Sequence, residues 1–156
     1  MSDDRCPDCG ARVAGGRDGC QALMDHMRAQ SFSDLRYASV IDLAFDAYCM
    51  QHLDKYCRSA KSYAAHLTRL CCGIEYAGDP KVYAAIQRWL NGSVALEKPP
   101  LLANFGTPTG VTIADVPGAT TFEEQAKRVR AWAENVWSAY ASQHEIARVW
   151  VKAALE

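Results

Sequence analysis

The chain has 156 residues, of which 49% are hydrophobic and 22% are charged, and its formal net charge is −1 at pH 7. A chain of this length and composition is typical of one globular domain that buries a core without disulfides. Lysine and arginine are interleaved with acids throughout, so the sequence offers no basic patch for a nucleic-acid partner. No apolar run approaches the ~18 residues that a membrane-spanning helix needs, so no membrane partner is expected.

Cysteine content and the amino terminus together suggest a cellular compartment. Residues Met1–Arg5 are polar and acidic, without the apolar stretch of a secretory signal. The sequence therefore predicts a cytoplasmic protein. In that reducing environment, seven cysteines are better explained as free core thiols and metal ligands than as a disulfide framework.

Hydrophobic periodicity predicts an all-α protein with a single domain over residues 1–156. Residues 1–19 are rich in glycine and lack a helical period. We therefore predict that they form a metal-knuckle segment, which needs a bound metal to become ordered. Residues 20–92 carry four amphipathic helices. Residues 93–120 are a long loop broken by proline and glycine, and 121–155 form a carboxy-terminal helix or helix pair. The predicted architecture is a bundle of about five helices.

Local signals place the ends of several of these helices. Gly19-Cys20 opens the first helix, and Ser33-Asp34 is suited to cap the second, which is apolar on so many sides that it should be central. Asp79-Pro80 is an N-cap followed by a proline at the first helical position. Thr121–Glu124 fits a capping box before the last helical segment. Within the loop, Val111–Ile113 is predicted to be a short extended piece.

The amino-terminal segment contains a metal-binding pattern. In Cys6-Pro-Asp-Cys9-Gly10 two thiolates three residues apart can converge on one ion, and the glycine permits a tight turn that aims backbone amides at sulfur. A closed zinc site needs two further ligands. Cys20, at a predicted helix amino terminus, and His52, at the end of the second helix, are the favoured pair, and Zn²⁺ is the expected cofactor.

Two other residues are reserve ligands. His66 lies beside the apolar stripe of the third helix, where a hydrogen-bonded core histidine is nearly as good an explanation. Cys57 lies in the short charged link that precedes that helix. The remaining cysteines, Cys49, Cys71 and Cys72, lie among apolar helical residues, where cysteine commonly behaves as a small hydrophobe.

Five short motifs are spread along the chain: Cys6-Pro-Asp-Cys9-Gly10, Gly19-Cys20-Gln-Ala-Leu23, Asp46-Ala-Tyr-Cys-Met-Gln-His52, Ser59-Ala-Lys-Ser62 and Ala65-His66-Leu67. Together they resemble the pattern of a family of small bacterial proteins of unknown function, over almost the whole chain. The resemblance implies a metal site built from these cysteines and histidines, and it implies no activity. One departure is Leu53, which stands where the family pattern has a proline.

A second group of polar residues lies in the two most apolar helices: Asp46, Tyr48, Gln51, His52, Ser62 and His66. Buried polar groups are costly unless they are hydrogen-bonded, so this group requires an explanation. One explanation is support of the metal site. In it, Asp46 or Gln51 accepts the free ring N–H of a metal-bound histidine, and Ser62 belongs to the same outer shell.

The alternative explanation is a catalytic pocket. Here His52 and His66, with Asp46, hold an open-site metal that activates water or a substrate, and Tyr48 or Lys61 acts as the acid–base partner. Such a site needs three protein ligands and a vacant position.

Three functions remain open at this point. The first, which we favour, is a zinc-stabilised helical protein that binds a partner protein or a small-molecule ligand. The second is a small metal-dependent enzyme that uses the group around Asp46, His52 and His66. The third is a metal sensor or carrier, in which a pair such as Cys71-Cys72 helps to hold a softer ion such as Cu(I).

Overall fold

The computed structural model describes residues 4–100 and 110–156, and within these ranges the chain is helical, with one isolated antiparallel bridge between Arg5 and Arg12. It forms one compact all-α domain. The helices are α1 Gly16–Ser33, α2 Tyr37–Met50, α3 Leu53–Tyr56, α4 Ala60–Glu75, α5 Pro80–Asn91, α6 Phe122–Ala139 and α7 His144–Leu155, with 3-10 turns at Ile113–Asp115 and Ala141–Gln143.

The predicted count of about five helices is too low, because the described residues contain seven. The four-residue α3 is too short to show a hydrophobic period, so the sequence presented it as a link. The carboxy-terminal segment was predicted to be one helix or a pair of helices, and it divides into two, α6 and α7. The division follows Tyr140, whose hydroxyl donates to the main-chain carbonyl of Met50 on α2.

Several helix ends lie where the local chemistry predicts. The side chain of Asp79 accepts from the amide of Lys81 at 2.9 Å and caps α5. The hydroxyl of Thr121 accepts from the amide of Glu124 at 3.1 Å and caps α6. The return half of that capping box is shifted by one residue, because the Glu124 carboxylate accepts from the amide of Thr120.

Two local predictions were wrong, and a third was right only in part. Helix α1 begins at Gly16, before the predicted Gly19-Cys20 start. Asp34 accepts from the amide of Arg36, but α2 begins only at Tyr37 and has no side-chain cap. The predicted extended piece at Val111–Ile113 is too long: Thr112 has extended backbone, but the 3-10 turn begins at Ile113, because the hydroxyl of Thr112 accepts from the amide of Ala114 and so favours a tight turn.

Helix α2 is the central element, as its apolar composition predicts. It packs against α1, α4 and α6 at once, so that Ala44, Ala47, Cys49 and Met50 are completely buried. Helix α7 lies on the other side of α4 and also contacts α5. In the described part of the chain, no helix is both long enough and apolar enough to cross a membrane.

Gln51, directly after α2, joins three separate parts of the fold. Its Oε1 accepts from the buried Nε1–H of Trp132 on α6 at 2.9 Å. Its Nε2 donates to the carbonyl oxygen of Val111, in the segment before α6, at 3.1 Å. Gln51 therefore fixes where the end of α2 lies against α6.

We expect Gln51→Leu to lower the free energy of unfolding by about 2–4 kcal/mol, because it leaves the indole N–H of Trp132 and the Val111 carbonyl without their partner. Chemical denaturation would measure this. The control is a double-mutant cycle with Trp132→Phe, which removes the same indole donor. The decrease in the free energy of unfolding of the double variant should be smaller than the sum of the decreases in the two single variants. Full additivity would show that the Gln51–Trp132 hydrogen bond contributes nothing to stability.

Candidate metal centre

Cys6 and Cys9 lie in a short hairpin at the amino terminus. The amide of Cys6 donates to the carbonyl of Ala11, and the amide of Gly10 donates to the carbonyl of Cys6, each at 2.8 Å. Gly10 has a φ of +78°, in the left-handed region that favours glycine. This turn directs the backbone amides of Asp8 and Cys9 toward the Cys6 sulfur.

Cys20 is brought to this hairpin by a close approach between the hairpin and α1. A β-carbon on the preceding residue, Gly19, would lie only 2.0 Å from the carbonyl oxygen of Ala14. Any larger residue would therefore force the start of α1 away from the hairpin. The result of the close approach is a distance of 3.7 Å between the sulfurs of Cys9 and Cys20.

His52 enters the site from the turn between α2 and α3. Its Nδ1 lies 2.6 Å from the carbonyl oxygen of Tyr48, one turn back. A carbonyl can only accept, so Nδ1 carries the proton and Nε2 presents its lone pair to the sulfurs. The ring of Tyr48 stacks on the imidazole at 3.9 Å between centroids. Together these contacts fix both the tautomer and the orientation of His52.

The four side chains converge on one point. The Nε2 of His52 lies 3.6 Å from the sulfur of Cys6 and 3.5 Å from that of Cys20, and all four donor atoms lie within 4.8 Å of one another. Usual zinc bond lengths in a tetrahedron give a sulfur–sulfur edge of about 3.8 Å and a sulfur–nitrogen edge of about 3.5 Å. The closest separations therefore match a tetrahedral site.

The centre is closed to solvent, since none of its four residues is more than 4% exposed. The contact with Cys20 lowers the pKa of Cys9 to about 4, and the same contact raises the pKa of Cys20. Burial raises the pKa of Cys6. One thiolate is thus favoured among three neighbouring sulfurs, and a cation bound between them would favour ionisation of all three.

Asp46 does not accept from His52, so the prediction that Asp46 or Gln51 would orient that ring was wrong. The carboxylate of Asp46 is buried and lies between α2 and α4, where it accepts from Nδ1 of His66 at 2.9 Å and from Nε of Arg69 at 3.2 Å. Burial raises the pKa of Asp46, against the opposing effect of its two partners. These three residues form a packing network that is separate from the metal centre.

The other predicted supporting and catalytic residues are dispersed. Gln51 bonds to Trp132 and Val111, as described above. Ser62 exchanges hydrogen bonds with Ser59 and caps α4. Lys61 is exposed on α4. The hydroxyl of Tyr48 lies 3.4 Å from Oε1 of Gln21. Asp46 and His66 are not in the group formed with His52, so the structure does not assemble the predicted catalytic pocket.

The reserve ligands and the vicinal cysteines also lie outside the centre. The thiol of Cys57 contacts the carbonyl of Cys49 at 3.6 Å. Cys71 contacts the carboxylate of Glu75, and Cys72 contacts the carbonyl of Asp79. Among the residues that the structure describes, Cys6, Cys9, Cys20 and His52 are the one group of three or more such ligands close enough to share an ion.

One residue, Arg69, and one main-chain group, the carbonyl of Tyr48, were missed in the sequence. Arg69 is the second partner of Asp46, and its position three residues after His66 on a helix was a usable signal, because residues at that spacing share a face. The carbonyl of Tyr48 had no side-chain signal. It was detectable only as one of the last four carbonyls of a helix, which have no partner in the regular α-helical pattern.

Comparison with protein families matches residues 4–141 to a family described as one of unknown function (DUF5946). Helix α7 lies beyond the matched region. No curated protein and no solved structure matches the chain.

We expect His66→Ala to lower the free energy of unfolding by about 1–3 kcal/mol, because the buried Asp46 carboxylate loses a donor. The metal content should not change, since His66 lies outside the ligand group. Denaturation and elemental analysis of the same samples would measure both. The matched variant His52→Ala should lose the metal, and a stoichiometric loss from His66→Ala would contradict the assignment.

Proposed function

The chain belongs to this family of unknown function, DUF5946, and we propose that it is a zinc-binding helical protein whose metal is structural and which acts by binding a partner protein or small ligand. The observation that carries the proposal is the convergence of three sulfurs and one oriented imidazole nitrogen within 4.8 Å.

The chemistry of the donors supports zinc. Three thiolates and one imidazole in a tetrahedron are a usual structural zinc set, and hard cations such as Mg²⁺ or Ca²⁺ prefer oxygen ligands. The orientation of His52 by a backbone carbonyl also fits, because metal-bound histidines usually donate their second ring N–H to such a group.

A structural role is favoured over catalysis because protein side chains supply all four positions. A catalytic zinc keeps one position for water or substrate, whereas here four protein donors converge and all four residues are buried. The sensor or carrier function has less support, since Cys71 and Cys72 lie outside the ligand group. In its structural role the zinc joins the hairpin of Cys6 and Cys9 to the start of α1 and the end of α2.

Cys9→Ser should release the metal and loosen residues 4–31, while most of the bundle survives. A serine hydroxyl is a poor zinc ligand, and the hairpin has few apolar contacts of its own. Hydrogen exchange would show faster exchange in the hairpin and α1 and continued protection of α4 and α6. Cys57→Ser is the matched control, as it also places a hydroxyl at a buried cysteine but outside the ligand group, and it should retain the metal. Complete unfolding of Cys9→Ser would show that the metal stabilises the whole domain.

Elemental analysis and X-ray absorption of protein purified without chelator test the proposal directly. We expect one zinc per chain with three sulfurs and one nitrogen around it. A shell rich in nitrogen and oxygen with a bound water would favour the enzyme, and the absence of metal would overturn the proposal.

A further inference from the structure

A cleft of about 490 Å³ lies where α2, α6 and the turn between α4 and α5 meet. Its volume is in the range of small-molecule sites. No residue of the metal centre lines it. The inner surface is formed by Val40, Leu43, Gly73 and Val129, and the outer edge by exposed residues that include Asp42 and Arg130.

Gly73 allows two residues that line the cleft to pack closely against α4. A β-carbon at this position would lie 2.6 Å from a terminal methyl of Leu43 and 3.2 Å from the hydroxyl of Tyr83. The absence of a side chain thus lets Leu43 and Tyr83 pack directly against the backbone of α4, so that the inner surface of the cleft is apolar and carries one hydroxyl group. Burial raises the pKa of Tyr83, so that hydroxyl stays protonated and can donate a hydrogen bond.

The charged groups at the edge are complementary to a ligand with both signs of charge. Among the lining residues described, Asp42 supplies the one carboxylate and Arg130 the one cation, from α2 and α6 respectively. Each has a partner on its own side of the cleft: Arg69 lies 3.4 Å from Asp42, and Glu134 lies 2.8 Å from Arg130. Both ion pairs include exposed groups, and pairs of this kind contribute little. Arg69 is in any case held by Asp46.

We propose that this cleft binds a small zwitterion with an apolar side chain, of the free amino acid class. The ammonium group would pair with Asp42, the carboxylate with Arg130, and the side chain would lie on Val40, Leu43 and Gly73. This names the ligand in the ligand-binding role proposed above and rests on that role, but it does not depend on the identity of the metal.

Titration of the zinc-loaded protein with L-leucine, followed by the backbone amide signal of Gly73 in NMR spectra, tests the proposal. We expect saturable binding. Leucinamide, which keeps only the cation, and N-acetyl-leucine, which keeps only the anion, should each bind about tenfold more weakly, since each loses one charge-assisted hydrogen bond. Equal binding of the three compounds, or no saturation by L-leucine up to its solubility limit, would overturn the proposal.

Charge-removing variants assign each end of the ligand. Asp42→Asn should weaken L-leucine binding about tenfold and leave N-acetyl-leucine binding unchanged, and Arg130→Gln should weaken L-leucine and spare leucinamide. Lys127→Gln is the matched control, because it removes a cation from the same helix outside the cleft. Glu134→Gln frees Arg130 from its ion pair and should preserve L-leucine binding. The proposed orientation would be contradicted if Asp42→Asn also weakened N-acetyl-leucine binding or if Arg130→Gln also weakened leucinamide binding.

Zinc content measured on the same samples separates the two proposals. Protein that lacks zinc but binds L-leucine saturably would overturn the metal proposal alone. Protein that holds one zinc and gives no leucine-dependent change at Gly73 would overturn only the amino acid proposal.

Discussion

The packing of α2 against α1, α4 and α6 is the constraint on which the rest of the structure depends. A helix enclosed on three sides must be apolar on nearly all faces, and the few polar groups that it carries must be satisfied by specific partners. Asp46 accepts hydrogen bonds from α4, and the carbonyl of Tyr48 orients the ring of His52. Asp42 lies at the edge of the cleft. Because one rigid element carries all three, their relative positions are fixed.

The cluster of Cys6, Cys9, Cys20 and His52, which could hold a metal ion, lies in a region with little hydrophobic core of its own. The hairpin before α1 contributes Ala11 and the two cysteines to the buried surface, and a few backbone hydrogen bonds do not hold so short a segment in water. Structural zinc sites contribute on the order of 10 kcal/mol, which is comparable to the whole stability of a small domain. A zinc ion at this position would therefore do what apolar packing does elsewhere in the fold.

The network of Asp46, His66 and Arg69 stabilises the same fold by a different means. A buried carboxylate is tolerated only when it is paired and hydrogen-bonded, and here two donors from α4 meet it. Any sliding of α4 along α2 would separate the carboxylate from these donors at a high cost. The network thus determines the register of the two helices, and it keeps His66 away from the metal centre.

Features that depend on local chemistry could be predicted from the amino-acid sequence. Helical periods, the caps at Asp79 and Thr121 and the enclosed character of α2 follow from residues close together in the chain. Two cysteines three residues apart, a cysteine near a helix start and a histidine at a helix end were sufficient to nominate four ligands, which the structure places within 4.8 Å of one another. Only the tertiary structure decided the division of α6 from α7, the partners of Asp46 and Gln51, and the cleft beside Gly73. Each of these depends on contacts between residues far apart in the chain, such as Gln51 and Trp132, and such contacts are set by how whole helices pack and leave no pattern in the local sequence.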